Sequence, residues 1–98
     1  MKVVWSSQSM NSLAKIYDDI YFNSPQNAEM VFNTLLNLGS SLSDERFEYS
    51  KELIINKEKF RFIPKWNYKI IYERKTDYLV IIDVFHSRQN PDKLFDII

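Results

Sequence analysis

One histidine and no cysteine leave this chain few ways to do chemistry. Without a thiol there is no cysteine nucleophile, no disulfide framework and no Cys-type zinc site, and one imidazole leaves only carboxylates for a metal. No glycine-rich phosphate loop, GxSxG or HExxH occurs, so neither a cofactor nor a metal is expected. What remains is a group of polar residues set among apolar ones near the C-terminus: Arg61, Lys65, Lys69, Asp83, His86, Arg88 and Asn90. His86 has the right pKa range for a general base, although a lone histidine at a strand end is more often a satisfied structural group. Arg88, two residues on, suits either a bound phosphate or carboxylate, or a fork that holds the tail through Asp83 or Asp92. Arg61 stands between Phe60 and Phe62, on the opposite face of its strand from both, in a groove or on a wet sheet face. Asp18 and Asp19 are adjacent in a helical pattern and point about 100° apart, which fits a solvated face better than a carboxylate pair.

The elements that must position these groups lie mostly between Phe60 and Phe85. Phe60 to Ile63, Tyr68 to Glu73 and Tyr78 to Phe85 are rich in aromatic and β-branched residues and read as three strands. The connections Pro64-Lys65-Trp66-Asn67 and Arg74-Lys75-Thr76-Asp77 are short enough to permit only antiparallel neighbours. In the middle strand Tyr68, Ile70 and Tyr72 share one face, and Lys69, Ile71 and Glu73 the other. In the last strand strict alternation puts Tyr78, Val80, Ile82, Val84 and His86 on one face and Leu79, Ile81 and Phe85 on the other. Only Asp83 interrupts a run that wants cover on both sides.

Upstream, Val3 to Trp5 is long enough for one more short strand. From about Ser9 to Asn23 the residues Met10, Leu13, Ala14, Tyr17, Ile20 and Tyr21 recur at helical spacing as one apolar stripe. A second helix starts at Ser24-Pro25, a good cap followed by a proline whose missing amide costs nothing in the first turn. Its core face is Ala28, Val31, Phe32, Leu35, Leu36 and Leu38, and Gly39, the only glycine, is expected to end it in the left-handed conformation. The two helices form an antiparallel hairpin. Ser40 to Lys59 fits neither period and reads as a surface excursion pinned at Leu42 and at Leu53 to Ile55. The fold class is therefore α+β, in the order strand, helix, helix, three strands.

With 98 residues, 45% of them hydrophobic, the expectation is one domain over residues 1–98 with a single core. Thirteen Lys and Arg balance thirteen Asp and Glu, so the whole-molecule field does not draw in nucleic acid or anionic membrane, although a local basic patch is compatible with it. The start, MKVVWSSQ, lacks the length of a signal peptide or anchor, and no later run reaches a membrane-spanning length. A cytoplasmic protein is the expectation.

Three stretches together carry a family resemblance: Phe60-Arg61-Phe62-Ile63, Asn67-Tyr68-Lys69-Ile70-Ile71-Tyr72, and Val80 to Pro91 (VIIDVFHSRQNP). With a first strand ending in an aromatic, and a helical hairpin broken at Ser24-Pro25 with Ala28 following, the chain resembles the RelE/ParE superfamily of toxins from bacterial type II toxin-antitoxin modules, also called plasmid stabilisation or addiction modules. The resemblance implies a helical hairpin packed on a curved, mainly antiparallel sheet. It also implies one of two activities. RelE-like members are ribosome-dependent messenger RNA endonucleases, in which basic residues and a Tyr or His near the C-terminus activate the ribose 2′-hydroxyl and stabilise the phosphate transition state. In that case Arg61, His86 and Arg88 are the catalytic candidates. ParE-like members inhibit DNA gyrase by binding it and are not known as nucleases. No tyrosine follows Tyr78, the chain is formally neutral, and the His-Ser-Arg-Gln-Asn-Pro ending is similar to the ParE branch, which is therefore favoured. A catalytically silent partner-binding module is the third alternative.

Either branch implies a cognate antitoxin as partner, in a hetero-oligomer, with gyrase or the ribosome and its messenger RNA as target, and no membrane. Two Trp, seven Phe and six Tyr are many for a chain of this size, so part of the apolar load is expected to form an exposed groove for a helix or an added strand. Trp66, Lys69, Asn90, Leu94 and Phe95 are the candidate partner-binding residues. The tail from Ser87 to Ile98 is expected to turn at Asn90-Pro91-Asp92 and fold back on its apolar side chains.

Overall fold

A computed structural model of the chain describes residues 1–44 and 59–86. Four strands and two α-helices follow the expected order: β1 (Lys2–Trp5), α1 (Ser7–Tyr21), α2 (Pro25–Ser40), a single 3-10 turn at Ser41–Ser43, β2 (Phe60–Lys65), β3 (Tyr68–Arg74) and β4 (Tyr78–His86). The strands form one sheet in the order β1-β4-β3-β2. β2, β3 and β4 are successive antiparallel neighbours, and β1 lies parallel to β4, with Lys2 opposite Tyr78 and Trp5 opposite Ile81. The parallel pair is possible because β1 and β4 are separated in the chain by both helices and by β2 and β3, and parallel neighbours need a long connection.

β2 runs through Pro64 because it is an edge strand, where a missing amide need not break a ladder. Its turn to β3 is accordingly only Trp66-Asn67, two residues fewer than the composition suggested. The β3–β4 turn closes with Lys75 N donating to Tyr78 O at 2.8 Å.

The helical hairpin covers one sheet face. Leu13 of α1 and Val31 and Leu35 of α2 pack with Ile63, Ile70, Tyr72, Leu79, Ile81 and Val84 in one buried cluster. Each aliphatic side chain taken fully out of water there contributes about 1.5–3 kcal/mol. On the other face Phe60, Ile71 and Phe85 are also buried, with Phe62 and Ile82 against them, so the sheet is apolar on both sides as β4 requires. Strict alternation along β4 fails at one place. Ile71 stands opposite Asp83 and Tyr72 opposite Ile81, so β4 has an extra residue and its faces exchange there. Leu79, Ile81 and Val84 consequently share the helix-side face, and Ile82 goes with Phe85 on the other.

That bulge is where α1 is tied down. Ser6 caps α1, accepting from Ser9 N at 3.0 Å, while its own Oγ donates to Ile82 O at 2.9 Å and its amide to Ile81 O at 3.0 Å. One turn later Ser12 Oγ donates to Asp83 Oδ1 at 2.5 Å, and Val84 N donates to the same oxygen at 2.8 Å. Asp83 thus interrupts the apolar run to hold a helix.

Two expectations about the helices are corrected. The apolar stripe of α1 is divided: Leu13 is buried and Ile16 and Ile20 pack on the core, but Met10 and Tyr21 are exposed and Ala14 faces solvent. Gly39 does not end α2 and has no positive φ. It lies within the helix because Trp5 crosses it: a Cβ there would overlap Trp5 Cζ2 and stand 2.7 Å from Ile81 Cδ1.

Candidate functional site

Cross-strand pairing sorts the candidate residues by face. Lys65 stands opposite Tyr68, and Tyr68 opposite His86, so a cation, a phenol and an imidazole form one row across β2, β3 and β4 on the helix-side face. The Tyr68 and His86 rings meet edge to face, 4.8 Å apart. His86 therefore shares a face with Val84 as expected, but not with Val80 and Ile82, because the bulge intervenes.

Arg61 pairs with Tyr72 on the same face, four residues from Lys65. With about 3.4 Å per residue along a strand and about 4.8 Å between strands, the Cα atoms of Arg61 and His86 are about 17 Å apart. The structure thus brings Lys65 and Tyr68 to His86, not Arg61. Tyr68 escaped sequence reasoning because only the cross-strand register, set by the short Trp66-Asn67 turn and the bulge, aligns it with a residue eighteen positions away. Arg88, Asn90, Leu94 and Phe95 lie outside the described residues, as do the fold-back of the tail and the anchoring at Leu53 to Ile55. Among the described residues no group of three His, Cys, Asp or Glu side chains comes together to hold a metal.

The tip of the β2–β3 hairpin has its own character. Trp66 is the one non-glycine residue with positive φ among those described, at 52°, and half of its surface is exposed. A two-residue hairpin loop wants positive φ at its first position to match the strand twist, and glycine usually supplies it. Lys65 Nζ lies 4.8 Å from the Trp66 ring centroid, and on the other face Lys69 Nζ lies 4.7 Å from that of Phe62. Of the two candidates from the sequence, Trp66 thus lies in the turn itself and Lys69 in β3 beside it.

Apart from Trp66 and Tyr78 on the sheet, the exposed large apolar side chains among the described residues belong to the helical hairpin. A cleft of about 320 Å³ opens between α1 and α2, lined by Ala14, Tyr17, Asp18, Glu29, Phe32 and Asn33. Tyr17 stacks on Tyr21 and meets Phe32 edge to face, at 5.6 and 5.7 Å. On the same two helices and at the turn between them Met10, Met30 and Phe22 are exposed, Phe22 at 92%. The groove expected from the aromatic load is thus on the helices.

Comparison with known proteins decides between the two branches at the level of family. The family model described as the ParE toxin of type II toxin-antitoxin systems, parDE, matches residues 3–91. The chain belongs to the ParE toxin family. A solved structure of the chromosomal ParDE TA system from P. aeruginosa has a chain with the same fold, with a TM-score of 0.73 over 88% of this chain and 95% of that one at 14% identity. A search of curated protein sequences gave no match. Two helices on a four-stranded mixed sheet are therefore the ParE architecture. Among the described residues no helix is long and apolar enough to cross a membrane.

Proposed function

We propose that this ParE-family chain is the toxin of a type II toxin-antitoxin pair, acting in the cytoplasm by binding DNA gyrase and held inactive by a cognate antitoxin. The observation that carries the reading is the family match over residues 3–91. The solved ParDE system offers a fold precedent for a toxin of this family. The α1–α2 cleft supports an antitoxin: apolar side chains of an amphipathic helix fit a groove floored by Ala14, Tyr17 and Phe32, and Asp18 and Glu29 at its edge favour a basic flank. Of the candidate partner-binding residues, Trp66 and Lys69 are presented on the β2–β3 hairpin, and Asn90, Leu94 and Phe95 are proposed to serve the same purpose from the tail.

One observation favours a second reading, ribosome-dependent cleavage of messenger RNA. Tyr68 gives His86 the phenol neighbour that the C-terminal sequence lacks, and Lys65 in the same row offers a cation for a phosphate. Arg61, His86 and Arg88 remain the catalytic candidates of that reading. Expression with and without the product of the neighbouring reading frame tests the toxin assignment itself. Growth arrest with the chain alone and normal growth on co-expression are expected, and unimpeded growth in both would contradict it.

A further inference from the structure

Formal neutrality conceals a division of charge. From Ser7 to Asp44 one cation, Lys15, faces four acids, whereas from Lys59 to Lys75 six cations face a single acid, Glu73. Lys59 and Lys75 both lie against Glu73, at 3.9 and 3.0 Å, so the acid serves the far end of the hairpin. From Phe60 to Tyr72 the sequence holds Arg61, Lys65 and Lys69 and no carboxylate. The helical layer is acidic and the hairpin basic.

At the basic end stands Trp66, whose backbone occupies a region that side chains other than glycine enter at a cost. Folding alone would favour glycine in this turn. A large ring kept there, half exposed, with Lys65 over one face, is instead the arrangement of an interface anchor: tryptophan carries a large apolar area on only two rotatable bonds. A channel for single-stranded nucleic acid would need a succession of open aromatic faces. Here the other aromatics of the hairpin offer no such succession: Phe60 and Phe62 lie in the apolar cluster beneath Lys59 and Lys69, Tyr72 is buried, and Tyr68 packs on the core with its ring against His86.

We propose that the β2–β3 hairpin tip, with Trp66 as anchor and Lys65 as its charged neighbour, docks an acidic protein segment that carries an apolar side chain among its carboxylates. The surface is separate from the α1–α2 cleft, whose edge carries the acids Asp18 and Glu29, so one chain can engage partners of opposite charge. The inference stands on the hairpin, and its test requires neither antitoxin nor gyrase.

The test is calorimetric titration of the full chain with a synthetic Glu/Asp peptide bearing one central phenylalanine. The same peptide with Lys for the acids and an oligothymidylate of equal length serve as comparisons. The acidic peptide is expected to bind in preference to both, more weakly as salt rises. Trp66→Gly should lower its affinity by about tenfold or more, while thermal stability stays the same or rises because glycine removes the backbone cost. Lys65→Gln should weaken binding and flatten its salt dependence. Tighter binding of the oligonucleotide, equal binding of acidic and basic peptides, or unchanged affinity in Trp66→Gly would overturn the proposal. So would a loss of stability in Trp66→Gly, which would make the ring structural. Salt-sensitive self-association abolished by Trp66→Gly would assign the tip to a second copy of the chain and overturn the acidic-segment occupant.

Discussion

Position 39 shows how one missing side chain can set an element's place. The indole of Trp5 lies over Gly39, with Trp5 Cη2 2.8 Å and Ile81 Cδ1 2.7 Å from where a Cβ would stand. Alanine is the better helix former by about 1 kcal/mol, but overpacking a filled site costs about 1–3 kcal/mol. Since the obstructing atoms belong to an indole held between α2 and β4, the steric term wins. Gly39→Ala is expected to lower unfolding stability in urea by up to about 2 kcal/mol, and a gain would show that Trp5 can swing aside. The sequence displays a lone glycine near a helix end, which is also the signature of a left-handed cap, and only the position of Trp5 distinguishes the two. Trp66 poses the converse problem. Its positive φ follows from a two-residue turn between paired strands, and a composition that includes Pro64 and Lys65 suggested a longer connection. His86 was visible as a candidate, yet its neighbours Tyr68 and Lys65 were not, because a register is a property of paired strands and no local run displays it.

At the scale of elements, the helical hairpin and the three antiparallel strands could be read from periodicity and caps, since each signal is local. Ser24 accepts from Asn27 N at 3.2 Å with Pro25 following, as its sequence context implies. The β4 bulge was hidden. Ile81-Ile82-Asp83-Val84 satisfies a two-residue period in apolarity, and only the pairing with Ile71 and Tyr72 shows that a residue is extra. The bulge makes the two helix caps unequal. Ser24 caps an exposed helix start, whereas Ser6 caps α1 and also donates to Ile82 O. Ser24→Ala is expected to cost about 1 kcal/mol, an ordinary cap. Ser6→Ala should cost about 2–3 kcal/mol, because the Ile82 carbonyl loses its hydroxyl donor as well. Equal losses in paired chemical-denaturation curves would mean that the bulge is not where α1 is anchored.

Across the whole molecule, charge and apolar surface are distributed in a way that composition cannot show. A count of thirteen against thirteen predicts no field, while the fold presents an acidic, aromatic cleft on the helices and a basic, tryptophan-tipped hairpin on the sheet. Neutrality was one reason to favour gyrase over ribosomal RNA, and the local basic hairpin weakens that reason without replacing it. The family match rests on other ground, since it spans 3–91. Two arrangements on one sheet now imply different chemistry. A gyrase-binding toxin needs contact surface and gains nothing from proton transfer at His86, whereas a nuclease loses orders of magnitude in rate when a general base or a phosphate-binding cation is removed. The most direct measurement is purified chain added to a gyrase supercoiling and cleavage assay beside a cell-free translation assay, with His86→Ala run in parallel. Dose-dependent loss of supercoiling or accumulation of cleaved gyrase complexes is expected, retained by a folded His86→Ala, with translation unaffected. Unimpaired gyrase together with translation arrest and messenger RNA cleavage that His86→Ala abolishes would contradict gyrase as the target.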